Sequence, residues 1–117
     1  MNLKVVTLLL VISVFTASAS ADTQRVILIW TGTNCPPCIN LKNNIIPQAD
    51  VQTAIKQYNG IHILNDPVAQ LRQKWGIKAY PTIQIVDVKG NKPTVVHTQV
   101  GIGSKQHFLK ILKDWRP

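Results

Sequence analysis

Two cysteines separated by two prolines, Cys35 and Cys38, are the residues of this sequence whose types and spacing point most directly to chemistry. They stand in the stretch "TGTNCPPCIN", and the chain contains no other cysteine. A pair with this spacing has three possible uses: part of a metal site, a structural disulfide, or a redox pair that exchanges disulfides with other molecules.

Metal binding is the least favoured of these interpretations. Structural zinc takes four ligands, commonly two cysteine pairs or one pair with histidines. The histidines at hand, His62, His97 and His107, show no paired spacing. We therefore expect no metal. We also expect no organic cofactor, because a redox-active cysteine pair would itself carry the electrons. A structural disulfide remains an alternative in an oxidising compartment, although a bridge between positions three apart closes a small loop and removes little entropy from the unfolded chain.

A redox role accounts best for where the cysteines stand. The apolar run "RVILIW" (25–30) is typical of a strand buried on both faces, and Pro36 and Pro37 suit the first turn of a helix that follows it. A cysteine at a helix N-terminus meets unpaired N–H groups and the positive end of the helix dipole, which favour the thiolate. Cys35 is then the predicted nucleophile, and Cys38, one turn further on, is the predicted resolving thiol.

The two prolines are expected to tune this pair. Because neither Pro36 nor Pro37 has an N–H, a Cys35 thiolate depends on the amide of Cys38, which weakens its stabilisation. The fixed φ angles of the prolines act separately, by constraining the geometry of both redox states. These effects need not change the reduction potential in the same direction, so its value stays open.

The rest of the chain predicts alternating strands and helices in the order β-α-(α)-β-α-β-β-α. The predicted strands cover residues 25–30, 61–64, 82–88 and 93–100. The first two should be parallel and the last two should form a hairpin. Asp50, Asp66 and Ser104 are the predicted N-caps of the later helices. The sequence therefore predicts one compact α/β domain.

The N-terminus has the layout of a secretory signal peptide, which we predict to cover residues 1–21. Lys4 precedes an apolar run (5–15), and Ala19-Ser20-Ala21 fits a cleavage site. The run is shorter than the roughly 20 residues that a membrane-spanning helix needs. The domain would then cover residues 22–117, in the periplasm or, alternatively, outside the cell.

The composition is strongly basic. Thirteen lysines and arginines stand against five acidic residues, none of them glutamate, for a formal net charge of +8. Such a balance favours acidic partners or anionic surfaces. The basic residues are scattered and not interleaved with aromatic residues, so we expect no nucleic-acid binding. We expect a monomer.

Taken together, the motifs resemble the thioredoxin superfamily. The resemblance runs from about Arg25 to Trp115. It rests on three segments: the strand that leads into the CxxC motif, "WGIKAYPTIQIVDVKG" and "VGIGSKQHFLKIL". The stretch "IIPQADVQTAIKQY" is similar to periplasmic members, including the C-terminal domain of the thiol reductase DsbD. The resemblance implies a thioredoxin-like fold with a mixed central sheet of about four strands flanked by helices, lacking the first strand and helix of full thioredoxin.

The resemblance also implies roles for residues outside the CxxC motif. Pro81 matches the family's cis-proline beside the cysteines, and Tyr80 would pair with a substrate segment. Gly101 matches a glycine near the same groove. In the absence of the family's pattern, Pro81 would be an ordinary strand-start proline and Gly101 a loop glycine. Ile29 stands where thioredoxin has a buried acid, so the resemblance implies that this protein lacks the family's usual proton relay beneath the cysteines.

Two functions follow from these residues. The first is an exported thiol–disulfide oxidoreductase, which exchanges disulfides with protein substrates and with a redox partner protein, for which a membrane-bound carrier is one candidate. The direction of exchange stays open. The alternative is a redox-inert binding or assembly module with a structural Cys35–Cys38 disulfide and a basic docking surface.

Overall fold

The computed structural model describes residues 22–117, so the predicted signal peptide lies outside the described residues. The elements, in chain order, are β1 (Thr23–Thr31), α1 (Pro36–Asn40), a π-helical segment (Leu41–Ile45), α2 (Ala49–Ile55), β2 (Gly60–Asn65), α3 (Ala69–Trp75), β3 (Thr82–Lys89), β4 (Lys92–Val100) and α4 (Lys105–Asp114).

The four strands form one mixed sheet in the order β2-β1-β3-β4. β1 pairs with β2 in parallel and with β3 antiparallel, so that Ile29 lies between Ile63 of β2 and Ile83 of β3. β3 and β4 form the predicted antiparallel hairpin. The predicted α/β class, with a mixed sheet of four strands and flanking helices, is confirmed.

The main hydrophobic core lies on one face of the sheet. Alternate residues of β1 and β3, such as Ile27 and Ile85, are fully buried there against the helices. Helix α4 contributes Phe108 and Leu112, as its apolar stripe predicts. On the opposite face Trp30 is also buried, so the end of β1 next to the cysteines is covered on both faces, whereas Leu28 on the same face is half-buried.

The helix caps were predicted correctly at one place and wrongly at two. Ser104 caps α4, because its hydroxyl accepts a hydrogen bond from an N–H of the first turn. Asp50 does not cap α2, which begins one residue earlier at Ala49. Asp66 does not cap α3, which begins only at Ala69. The backbone of Asp66 has a positive φ of 49°, and its carboxylate is engaged elsewhere.

None of the helices in residues 22–117 combines the length and the apolar character that crossing a bilayer requires.

Candidate active site

The two cysteines form a disulfide at the N-terminus of α1. Cys35 is the N-cap residue, with an extended backbone, and Pro36 and Pro37 occupy the first two helical positions. Cys38 is the first residue of the helix that has an N–H, and it donates this N–H to Sγ of Cys35 at 3.2 Å. The helix terminus therefore directs its first available donor at the sulfur of Cys35.

The two sulfurs differ in their access to solvent. Cys35 keeps 9% of its surface exposed, whereas Cys38 is fully buried. The prolines between them are exposed. A thiolate that approaches from outside would therefore meet Cys35 before Cys38.

The segment around Pro81 lies at the same end of the sheet as the disulfide. Thr82, which begins β3, is paired with Trp30 near the end of β1, and the chain reaches the disulfide a few residues after Trp30. The Tyr80–Pro81 peptide bond is cis. Gly101, with a positive φ of 75°, donates its N–H to the carbonyl of Pro81 at 2.8 Å. The three residues singled out by the resemblance thus adjoin one another.

Gly32 joins this segment to the loop that precedes the cysteines. A β-carbon placed on Gly32 would lie only 2.9 Å from Cδ2 of the Tyr80 ring. Real β-carbons essentially never approach so closely, so the ring of Tyr80 packs in the space that a side chain at position 32 would fill. Sequence reasoning missed this contact. The glycine in "TGTN", between a buried strand and the CxxC motif, was the available signal.

Asp66 holds the same loop from the other side. Its carboxylate accepts hydrogen bonds from the backbone N–H of Thr33, at 2.9 Å, and from the Thr33 hydroxyl. The Thr33 hydroxyl, more than the backbone N–H, lowers the pKa of Asp66 below its ordinary value. The N–H of Asp66 in turn donates to the carbonyl of Thr31 at 2.9 Å. The loop between β1 and the cysteines is therefore tied to the end of β2, which sequence reasoning also missed.

The interior beneath the disulfide lacks a carboxylate in the described part of the chain. Ile29 is fully buried. The buried polar residues of the region 22–117 are Thr31, Thr82 and Gln84, and none of these is an acid or a base. The same residues contain no group of three or more histidine, cysteine or acidic side chains placed to hold a metal ion.

The fold and the site together define a thioredoxin-like domain. The sheet is mixed, the disulfide stands at the N-terminus of the helix that follows a central strand, and the cis-proline lies at the same end of the sheet. The chain belongs to the thioredoxin-like domain family, whose family model matches residues 15–116. The resemblance that the motifs suggested is thereby confirmed. The sequence matches no curated protein.

Solved structures agree with this assignment at low sequence identity. A thioredoxin from Thermus thermophilus is similar over 78% of this chain and 72% of that chain, with a TM-score of 0.68 and 17% identity. A thioredoxin-fold protein from Helicobacter pylori is similar over 83% and 71%, with a TM-score of 0.69 and 16% identity. The C-terminal domain of DsbD from Neisseria meningitidis, in the reduced form, is similar over 78% and 79%, with a TM-score of 0.60 and 14% identity. At these identities the likeness shows the fold alone.

Proposed function

We propose that this protein is an exported thiol–disulfide oxidoreductase that exchanges disulfides with protein substrates. One observation carries the proposal: the Cys35–Cys38 disulfide stands at a helix N-terminus, and the first helical N–H points at the sulfur that is more accessible. Family membership supports this class of chemistry. Export, the protein nature of the substrate and the roles of the neighbouring residues are parts of the proposal.

In the reducing direction, the thiolate of Cys35 attacks a sulfur of the substrate disulfide. A bond forms between Cys35 and that sulfur, and the substrate disulfide breaks, releasing a thiolate that takes up a proton. Cys38, once deprotonated, then attacks Sγ of Cys35. This closes the Cys35–Cys38 disulfide and releases the second substrate thiol, so that two electrons have passed to the substrate. A dithiol on a redox partner protein must supply these two electrons for the next cycle.

The oxidising direction uses the same atoms in reverse. A substrate thiolate attacks Sγ of Cys35 in the disulfide, and Cys38 leaves as a thiolate. A second substrate thiol, as its thiolate, then displaces Cys35 from the mixed disulfide, so that the substrate is oxidised and the pair is reduced. A disulfide on a partner protein must then reoxidise the pair. The scheme requires no metal or organic cofactor, because the sulfur pair carries both electrons.

The segment around the cis-proline would position the substrate. Tyr80, Pro81 and Gly101 adjoin one another at the disulfide end of the sheet, where an extended substrate segment would pass. Pro36 and Pro37 would tune the pair, because they leave Cys38 as the first N–H donor to Cys35. We place the protein in the periplasm as a monomer, with export directed by residues 1–21.

Trapping of mixed disulfides tests this proposal. In a Cys38→Ser variant the resolving thiol is absent, so Cys35 should form a stable mixed disulfide with a disulfide-bonded test protein, seen on a non-reducing gel. In the Cys35→Ser variant no such adduct should form, and both variants should lose catalysis of disulfide reduction with dithiothreitol as donor.

The same two variants distinguish the proposed oxidoreductase from the alternative function, a redox-inert binding or assembly module. A redox-inert binding module with a structural disulfide would catalyse no reduction as wild type, and neither variant would trap a partner. Circular dichroism of each variant checks that loss of activity does not come from unfolding.

A further inference from the structure

The two edge strands of the sheet are protected against further pairing to different degrees. β4 begins with Lys92 and Pro93 and has a bulge at Val96, and these features discourage a neighbouring strand. β2 has the sequence GIHILN, without a lysine, an arginine, an acidic residue or a proline, and its pairing with β1 is regular. Within residues 22–117 β2 pairs with β1 alone. β2 is therefore the edge that is open to an added strand.

Apolar surface lies on both faces of this open edge. On one face is a groove of about 300 Å³ whose lining residues are Leu28, Trp30, His62, Leu64, Leu71 and Trp75. On the other face Ile63 is 45% exposed. Because side chains of a strand alternate between the faces of a sheet, an added strand would place every second side chain over the groove and the side chains between them on the face of Ile63.

The charges near the groove indicate which kind of segment fits. Arg72 and Lys74 lie on α3 with two of the lining residues, and neither forms an ion pair within residues 22–117. Lys42 reaches the end of β2, where its Nζ donates to Asn65 at 3.3 Å. The acid next to β2, Asp66, is already bound to the loop before the cysteines. This surface favours an acidic occupant, and the net charge of +8 disfavours a second copy of the chain.

We propose that β2 and the groove beside it bind an extended, acidic segment of a partner protein as a fifth strand of the sheet. Backbone hydrogen bonds to the open edge would provide affinity, and the groove would select apolar side chains at alternate positions. The binding does not depend on the proposed disulfide exchange, since it uses neither cysteine.

A synthetic peptide tests the proposal with the oxidised protein. The probe is an eight-residue peptide that alternates leucine with aspartate, and its control has lysine in place of aspartate. The acidic peptide should shift the emission of Trp30 and Trp75 and the backbone amide resonances of β2. The lysine peptide should bind at least about tenfold more weakly, because its leucines would occupy the groove and its charges would then lie on the Ile63 face, where Lys42 reaches the end of β2.

Two matched variants locate the binding site. Ile63→Asp places a negative charge on the open edge and should weaken binding of the acidic peptide by at least about tenfold, because that charge would lie beside the aspartates of the added strand and repel them. Val95→Asp makes the same change at a 40% exposed residue of the opposite edge and should leave binding within about twofold. Thermal unfolding checks that both variants are folded.

Several outcomes would overturn the proposal: no binding of the acidic peptide, equal binding of the two peptides, or an equal loss in both variants. A second copy, or residues 1–21, found paired with β2 in the free protein would also overturn it. Wild-type exchange activity in Ile63→Asp would show that strand binding and disulfide exchange are separate, so that the failure of one proposal can be told from the failure of the other.

Discussion

Replacement of Gly32 by alanine should disturb the loop before the cysteines through one identifiable contact. The new β-carbon would lie 2.9 Å from Cδ2 and 3.2 Å from Cε2 of Tyr80. Non-bonded carbons pack at about 3.5–4.0 Å, so the ring must move by roughly 0.5–1 Å. Tyr80 is only half-buried and can move, so we expect a cost at the low end for overpacking, about 1 kcal/mol in the free energy of unfolding.

A double-mutant cycle isolates this contact. Urea denaturation of the oxidised wild type, Gly32→Ala, Tyr80→Ala and the double variant gives the four free energies of unfolding. In the Tyr80→Ala background the ring is absent, so Gly32→Ala should cost close to nothing. The coupling energy between the two positions should be about 1 kcal/mol. If Tyr80 also contacts substrate, Gly32→Ala should slow disulfide exchange by about fivefold, which is the change in rate that corresponds to about 1 kcal/mol.

Gly103→Ala is the matched control. A β-carbon at Gly103 would meet no atom within 4 Å, so this variant should change stability by no more than about 0.5 kcal/mol. An equal cost of Gly32→Ala with and without the Tyr80 ring would refute the reasoning, because backbone effects at position 32 would then account for the whole loss.

Three further substitutions test other contacts, each by urea denaturation. Tyr58→Phe removes a hydroxyl that donates to the carbonyl of Leu112 at 2.8 Å and should cost about 1–2 kcal/mol. Ser104→Ala removes the N-cap of α4 and should cost about 1 kcal/mol, whereas Ser104→Asn should restore most of it. Hydrogen bonds from Arg25 lower the pKa of Asp87. The stability that this ion pair adds is complete above the unfolded-state pKa of about 3.9 and is lost as the pH falls through the lower folded-state pKa. Asp87→Asn should therefore lose less free energy of unfolding than the wild type when the pH falls from about 5 to below the folded-state pKa of Asp87. An equal loss in the variant and the wild type would contradict this assignment.

The parts of the fold that sequence predicted are those that short-range chemistry determines. The continuous apolar run at 25–30 predicted a strand in the interior of the sheet, and these residues lie within β1. Two consecutive prolines predicted the start of a helix at the cysteines, because a residue without an N–H loses nothing in the first turn. Ser104 was predicted as a cap from its own neighbourhood, and it is one. Each of these features needs only information within about one turn or one strand.

The errors arose where a distant residue outweighs the local preference. Asp66 precedes a proline and was predicted to cap α3, but its carboxylate binds Thr33, which is far away in the sequence. The backbone of Asp66 takes a positive φ that aspartate tolerates better than most residues, and the helix begins only at Ala69. A prediction from neighbouring residues cannot take into account that Thr33, just after the end of β1, also binds this carboxylate. The parallel pairing of β1 with β2, which brings these two strand ends together, creates that competition.

The same distinction explains why the sequence indicates the reaction class more clearly than the substrate. The spacing of the cysteines and the helix that begins between them are local, so the chemistry of the pair can be inferred from one short stretch. The surroundings of the pair come from distant segments: Tyr80 packs on Gly32, and Asp66 holds Thr33. Substitutions at Tyr80 or Asp66 should therefore alter which segment fits beside the disulfide while Cys35 and Cys38 keep their own geometry. Proteins that share the CxxC motif need not share a client, because these separate segments shape the surface that the client meets.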